Sequence, residues 1–189
     1  MIYTEVGFRD DALEEVRQLL KGVERGAEKA MTRALNRVAV GARAEIVKVI
    51  AQKHEIRNRD IRDAIKIKKA NYDTLEAQVH SFGSVIGLED FKTTPSGYKQ
   101  PRPKVGIQVK VRKDSSGGRI PGTFFMPNKK PIFVREGDEI MRKFGPAIPS
   151  MMRVALDEDG EQSIQDNAEN RLIRELDHEV QFMLSKGAK

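Results

Sequence analysis

The chain has 189 residues and carries 34 Lys and Arg against 28 Asp and Glu, a formal net charge of +6. It contains no cysteine, which excludes a disulfide scaffold, a Cys-ligated metal site and thiol catalysis. It has no tryptophan and only 6% aromatic residues, so stacking on nucleic acid bases is a poor explanation for its positive charge. No apolar stretch is long enough to span a membrane, and we expect no membrane partner.

The N-terminal part of the chain predicts one strand and then helices. Residues 2–8 alternate as a strand does, and a first helix starts at Asp10 and ends at Gly22. From about residue 23 to residue 52, apolar residues recur every 3.6 positions, which predicts one long amphipathic helix with an alanine-rich face. The opposite face of this helix carries three arginines, namely Arg33, Arg37 and Arg43.

The middle of the chain predicts short antiparallel strands. A short helix over 59–64 leads into an alternating strand at 65–68, which forms a hairpin with a strand at 75–79. Residues 83–103 are rich in Gly and Pro and predict an irregular basic loop. Four basic residues in and beside this loop are candidates for loose contact with DNA, namely Lys92, Lys99, Arg102 and Lys104.

The remaining elements complete an α+β prediction. Strands are expected at 105–111, at 119–126 and at 131–135, and a helix begins near Ser150. A last helical pattern over 162–184 has an acidic outer face. Short turns between strands favour an antiparallel sheet packed against the long N-terminal-half helix, with a further helix at the C-terminus. We divide the chain into a single α+β domain over 1–156 and an acidic helical extension over 157–189.

The modest net charge hides a separation of charge along the chain. Residues 28–70 carry twelve Lys and Arg against five acids, and residues 92–130 carry ten against one. Residues 155–184 carry two Arg against nine acids. Three interpretations stay open: solvated faces of different sign, head-to-tail contact between the acidic end of one copy and the basic body of the next, or a nucleic acid footprint.

No catalytic, metal or cofactor site is predicted. The three histidines, His54, His80 and His178, have no metal-ligand spacing, and no phosphate-binding glycine motif or nucleophile motif occurs. The acidic run at 157–159 lacks the spacing of a calcium loop. We therefore predict a protein that is not an enzyme and that needs no cofactor.

Two adjacent phenylalanines, Phe124 and Phe125, follow a turn or bulge at Pro121-Gly122. One interpretation is a bulged sheet edge that closes the core. The other is an apolar edge offered to a neighbouring subunit.

The order of several motifs resembles one known family. The long helix contains Ala34-Leu35-Asn36-Arg37-Val38-Ala39, and the later motifs are Ile120-Pro121-Gly122-Thr123-Phe124-Phe125, Pro131-Ile132-Phe133-Val134-Arg135 and Gly145-Pro146-Ala147-Ile148-Pro149. With these motifs in this order, the chain resembles the minor tail protein Z family of tailed bacteriophages and prophages, which are tail-completion or neck components. The resemblance covers roughly residues 10–156, and the acidic helix after Leu156 departs from it.

This resemblance implies a structural virion protein without catalysis, located in the tail or neck and assembled in the host cytoplasm. It implies a ring of copies, sixfold, around the DNA channel, in contact with other tail, neck and connector proteins and in non-specific contact with phage DNA. The residues expected at the interface between subunits are Arg33, Arg37, Arg43, Phe124, Phe125, Glu169, Glu175 and Glu179. The alternative function is a basic nucleic-acid-binding module that uses the loop around Lys92–Lys104 and the arginine face of the long helix.

Overall fold

A computed structural model describes residues 2–7, 10–23, 25–98, 104–127, 130–157 and 160–187. Within these residues the chain forms five α-helices and eleven short strands. The helices are α1 (Asp10–Leu19), α2 (Gly26–Lys53), α3 (Asn58–Ala64), α4 (Ile148–Asp157) and α5 (Gly160–Gly187). The first six strands are β1 (Ile2–Gly7), β2 (Ile65–Lys68), β3 (Glu76–Ser81), β4 (Val85–Gly87), β5 (Lys92–Thr94) and β6 (Ile107–Lys110). The others are β7 (Gly118–Ile120), β8 (Thr123–Phe125), β9 (Ile132–Glu136), β10 (Glu139–Arg142) and β11 (Phe144–Ala147).

Helix α2 is the centre of the fold. Its alanine-rich pattern gives it buried side chains along its whole length, from Ala27 to Ile50. Small residues let other elements approach its backbone closely, so strands, α4 and α5 all pack on it. The helix ends at Lys53, where His54 turns to an extended conformation and its N–H still donates to the carbonyl of Ile50. The prediction of a long helix in the N-terminal half is confirmed.

The strands divide among four small antiparallel sheets. Their orders are β1-β3-β2, β5-β6-β7, β10-β9-β8 and β11-β4. The α+β class is therefore confirmed, and so is the hairpin that joins β2 to β3. We use the name β lobe for the two three-stranded sheets made by β5 to β10.

Three parts of the β region differ from the sequence prediction. The segment expected to be an irregular loop contains β4, a single 3-10 turn at Leu88–Asp90 and β5, and its residues 99–103 lie outside the described part. The strand expected over 119–126 is two strands, because the chain turns at Pro121-Gly122 and enters a second sheet. Strands β10 and β11 were not predicted, because β11 pairs with the distant β4 and β10 has no buried face.

Helix α5 folds back along α2 in the antiparallel direction. Its residues Ile164, Ala168 and Leu172 belong to the main core around α2. Nearer its C-terminus, Val180 and Met183 join a second cluster with Val16 and Leu20 of α1 and with the start of α2, from Ala27 to Met31. The division of the chain at residue 156 into a domain and an extension stays a prediction.

The β lobe is attached to the helical part where α2 ends. His54 and Arg112 form an antiparallel bridge. On either side, the N–H of Glu55 donates to the carbonyl of Val111 at 2.8 Å, and the N–H of Lys113 donates to the carbonyl of Lys53 at 2.9 Å. Within the described residues, no helix combines the length and the apolar character that crossing a bilayer requires.

Candidate functional site

The contact between α2 and α5 contains a cluster of two arginines and two glutamates. Arg33 and Arg37 of α2 both reach Glu179 of α5, with Nη1–Oε2 and Nη2–Oε1 distances of 3.2 and 2.7 Å. Arg37 also donates from Nη1 to Oε2 of Glu175 at 3.0 Å. The side chain of Glu179 is only 2% exposed, so its charge is compensated almost entirely by these two guanidinium groups. We call these four residues the helix charge cluster.

A glycine on α2 lets a third arginine join this contact. The guanidinium of Arg171 lies directly over Gly41, where an added Cβ would overlap it. From there Arg171 reaches Oε1 of Glu175 with its Nε at 3.8 Å. The acidic segment 155–184 contains two arginines, Arg171 and Arg174, and both line the groove beside Arg37. The inner side of α5 is therefore much less acidic than its sequence indicates.

The structure places the residues predicted for the subunit interface in different environments. Arg33, Arg37, Glu175 and Glu179 meet, but they meet within one chain, because α5 folds back on its own α2. Glu169 is exposed on α5, and Arg43 is half-buried on α2. An interface role for these six residues stays a prediction, but the helix charge cluster already has its partners in the monomer.

The two phenylalanines of β8 have separate environments. Phe125 is 5% exposed and belongs to the main core, and Phe124 is half-buried with its ring centroid 6.4 Å from that of Phe133 on β9. Thr123 before them accepts a hydrogen bond from the backbone N–H of Ile107, which ties β8 to the neighbouring sheet. Core packing accounts for Phe125, and a role of the pair between subunits stays a prediction.

A cleft of about 720 Å³ opens between the end of α2, the β5 region and β8. Its floor is apolar and includes Ile56, Phe91 and Phe125. Its rim carries lysines from three separate segments, namely Lys92, Lys113 and Lys130. The lining also holds three acidic side chains, which pair within the chain: Glu55 with Lys110, Glu89 with Arg142 and Asp90 with Arg57. Because the three lysines lack such partners among the described residues, we call it the basic cleft. Of the four residues predicted to contact DNA, Lys92 lines this cleft, Lys104 is exposed outside its lining, and Lys99 and Arg102 lie outside the described residues.

A β-hairpin projects from the β lobe. Strands β9 and β10 are joined by the two-residue turn Gly137-Asp138, with Glu136 paired to Glu139. All eight residues over 135–142 are exposed, including the apolar side chains of Ile140 and Met141. We call residues 135–142 the arm. Sequence reasoning missed the arm and the cleft lysines Lys113 and Lys130, although Gly137-Asp138 between two β-prone segments was a usable turn signal.

Two titratable groups at the junction of α2 with the β lobe have shifted pKa values. Burial lowers the pKa of His54, which is 4% exposed, and its Nδ1–H donates to the carbonyl oxygen of Ile50 at 3.2 Å. Hydrogen bonds from the Arg112 guanidinium, the shortest 2.8 Å from Nη2 to Oδ2, lower the pKa of the neighbouring Asp114. Both shifts come from local contacts at this junction. Over the described residues, no group of three His, Asp or Glu could hold a metal ion.

A comparison with known protein families assigns the chain to one of them. The family model described as prophage minor tail protein Z (GPZ) matches residues 11–187. The chain belongs to the minor tail protein Z family. It is thus a structural protein of the phage tail, and hence a virion component. A search among curated proteins and a search among solved structures each found no significant match.

The extent of the family match corrects one expectation. The resemblance read from the sequence ended near residue 156, with the acidic helix as a departure. The match continues through α5 to residue 187, so that expectation is wrong. The physical reason is visible in the packing, since α5 supplies core residues to both apolar clusters of this minor tail protein.

Proposed function

We propose that this minor tail protein is a tail-completion protein that forms a ring at the neck and joins the tail to the head. The observation that carries the proposal is the family match over residues 11–187. In this proposal the copies form a sixfold ring around the DNA channel, contact connector and tail proteins, and assemble in the host cytoplasm. The interior of the ring makes only loose contact with DNA, because each tight phosphate contact would add affinity and slow its passage.

The experiment is deletion of the gene in a phage or inducible prophage that encodes the chain. The expected result is free heads and free tails in electron micrographs, with infectious particles restored by the gene supplied in trans. Labelled copies should decorate the head-proximal end of the tail. Labelled copies at the distal tip, or normal joined particles from the deletion strain, would contradict a neck function.

A nucleic-acid-binding module is the second candidate, and the basic cleft favours it. Lys92, Lys113 and Lys130 lie on one rim, and lysines of this kind bind phosphates with an affinity that falls steeply with salt. The test is DNA retention by the purified chain at low and high salt, beside a Lys92→Gln, Lys113→Gln variant. Retention that is lost with salt and in the variant would support this function. No retention at low salt would remove it.

A further inference from the structure

The arm is a surface without a covering element in the monomer. A two-stranded hairpin alone is marginally stable in water, and strands are ordinarily covered on at least one face. Every side chain of the arm is exposed, with Ile140 at 41% and Met141 at 38%. Because Ile140 and Met141 are consecutive on one strand, they point to opposite faces, so both faces of the arm present apolar surface. Strand β10 is also the edge strand of its sheet, and an exposed edge strand is a ready template for contact with another chain.

The tip of the arm also carries carboxylates without partners. Across the described chain, no basic nitrogen lies within 4 Å of the carboxylate of Asp138 or Glu139, whereas Glu136 is paired with Lys143 at 3.0 Å. Glu136 and Glu139 stand directly opposite each other in the hairpin, which is an unfavourable pairing for two like charges. A cationic partner at the tip would relieve this repulsion.

The basic cleft offers the complementary surface. Within the ranges that the structure describes, the ammonium groups of Lys92, Lys113 and Lys130 have no carboxylate within 4 Å. The apolar floor below these lysines matches the apolar sides of the arm. A cleft of about 720 Å³ has room for the side chains at the tip of a hairpin.

Within one chain the carboxylates of the arm tip do not form ion pairs with the lysines of the cleft. The base of the arm is held at the edge of the chain's own cleft, because Arg142 pairs with Glu89, a residue that lines the cleft. The tip points its charges elsewhere, since neither Asp138 nor Glu139 forms an ion pair with a cleft lysine. The tip therefore stays available to a complementary surface on another molecule.

We propose that the arm of one copy occupies the basic cleft of the next copy. The contact joins two different surfaces, so it is head-to-tail and closes into a ring when the rotation allows. This inference rests on the proposed ring function and names the surfaces that build the ring. Asp138 and Glu139 contact the cleft lysines, and Ile140 and Met141 cover the apolar floor.

The absence of cysteine from the chain gives a clean test. One full-length variant carries Asp138→Cys and another carries Lys92→Cys, and both are expressed together in cells that produce the phage particle. Mild oxidation of the purified particles should give a species of twice the chain mass, which particles with either variant alone do not give. Glu169→Cys replaces Asp138→Cys in the matched control, because Glu169 is an exposed carboxylate on α5, away from the arm.

The outcomes separate this inference from the function on which it rests. Infectious particles that contain the chain but give no crosslinked dimer would contradict the contact between arm and cleft. The same result would not contradict the proposed neck ring. A dimer formed through Glu169→Cys and not through Asp138→Cys would also overturn it, in favour of the acidic helix. Particles that assemble without the chain would instead contradict the proposed function. A dimer specific to the arm and the cleft supports the contact.

Discussion

The charged side chains between α2 and α5 are paired within the chain, whereas those at the arm tip and the lysines of the cleft have no ion-pair partner among the described residues. Between α2 and α5, Arg33 and Arg37 are paired with Glu175 and Glu179 of the same chain, and Glu179 is almost completely buried. In the β lobe, the carboxylates at the arm tip and the lysines at the cleft are exposed and unpaired with each other. A buried charge depends on its partners inside the chain and is costly when one of them is removed, whereas exposed complementary charges can select a partner. This difference supports the proposal that the surfaces for assembly lie in the β lobe.

Replacement of Glu179 is expected to change the free energy of unfolding more than any other substitution proposed for this chain. In the variant Glu179→Lys, a buried cation would face Arg33 and Arg37, so we expect the free energy of unfolding to fall by about 3–5 kcal/mol. Denaturant unfolding of the purified chain measures this change. The matched variant Glu169→Lys changes an exposed side chain of the same helix, and its effect should stay within about 0.5 kcal/mol. Equal effects of the two variants would contradict the helix charge cluster.

Gly106 gives the largest expected effect in the β lobe. Its φ of +82° and the carbonyl oxygen of Ile120, which an added Cβ would overlap, leave no room for a side chain. The variant Gly106→Ala should lower the free energy of unfolding by about 1–3 kcal/mol. Gly118→Ala is the control, because nothing lies within 4 Å of an added Cβ there. A thermal or denaturant melt that cannot distinguish the two variants would show that the turn before β6 is not constrained as described.

The junction between the two regions should respond to pH through His54. Its pKa is lowered in the folded chain by burial, and Arg112 and Lys53 lower it further against the raising effects of Ile50 and Asp114. As pH falls below the ordinary value of 6.5, the unfolded chain therefore takes up the proton first, and the free energy of unfolding decreases. The stabilisation is complete above that pH and is lost below it.

Unfolding curves from neutral pH downward test this behaviour. The variant His54→Gln should flatten the pH dependence in that interval. If the wild type and His54→Gln keep the same slope, the buried histidine is not the cause of the pH dependence.

The smallest expected effect on stability is at the tip of the arm. The variant Asp138→Lys, Glu139→Lys changes two exposed side chains without an ion pair among the described residues. We expect its free energy of unfolding to stay within about 0.5 kcal/mol of the wild type. A large loss of stability would show that the arm tip stabilises the fold, as the helix charge cluster does, and would contradict its role as an interface.

The elements that the sequence predicts well are those with local periodicity. Helix α2 and helix α5 repeat apolar residues every three to four positions over 28 residues each, which one window of sequence reveals. Strands β4, β5 and β11 have three or four residues, and their partners are set by tertiary packing. No local pattern identifies such strands.

The candidate site was predictable only in part. The separation of charge is visible in the sequence, and it led to a predicted contact between subunits, whereas Glu175 and Glu179 meet long-helix arginines of the same chain. The sequence cannot show that these partners lie in one molecule, because the direction in which α5 folds back is a tertiary property. The basic cleft was hidden for a similar reason, since Lys92, Lys113 and Lys130 come from three segments that only the fold brings together.

A charge exchange between the arm and the cleft shows whether these two surfaces join copies of this minor tail protein. The measurement is the amount of the chain in purified particles, by quantitative mass spectrometry, for three variants. Asp138→Lys, Glu139→Lys and Lys92→Glu, Lys113→Glu should each reduce incorporation on the order of tenfold, because like charges then meet at the contact. The chain with all four substitutions restores opposite charges and should be incorporated as the wild type is. Normal incorporation of both double variants, or a fourfold variant as poor as either of them, would contradict the account.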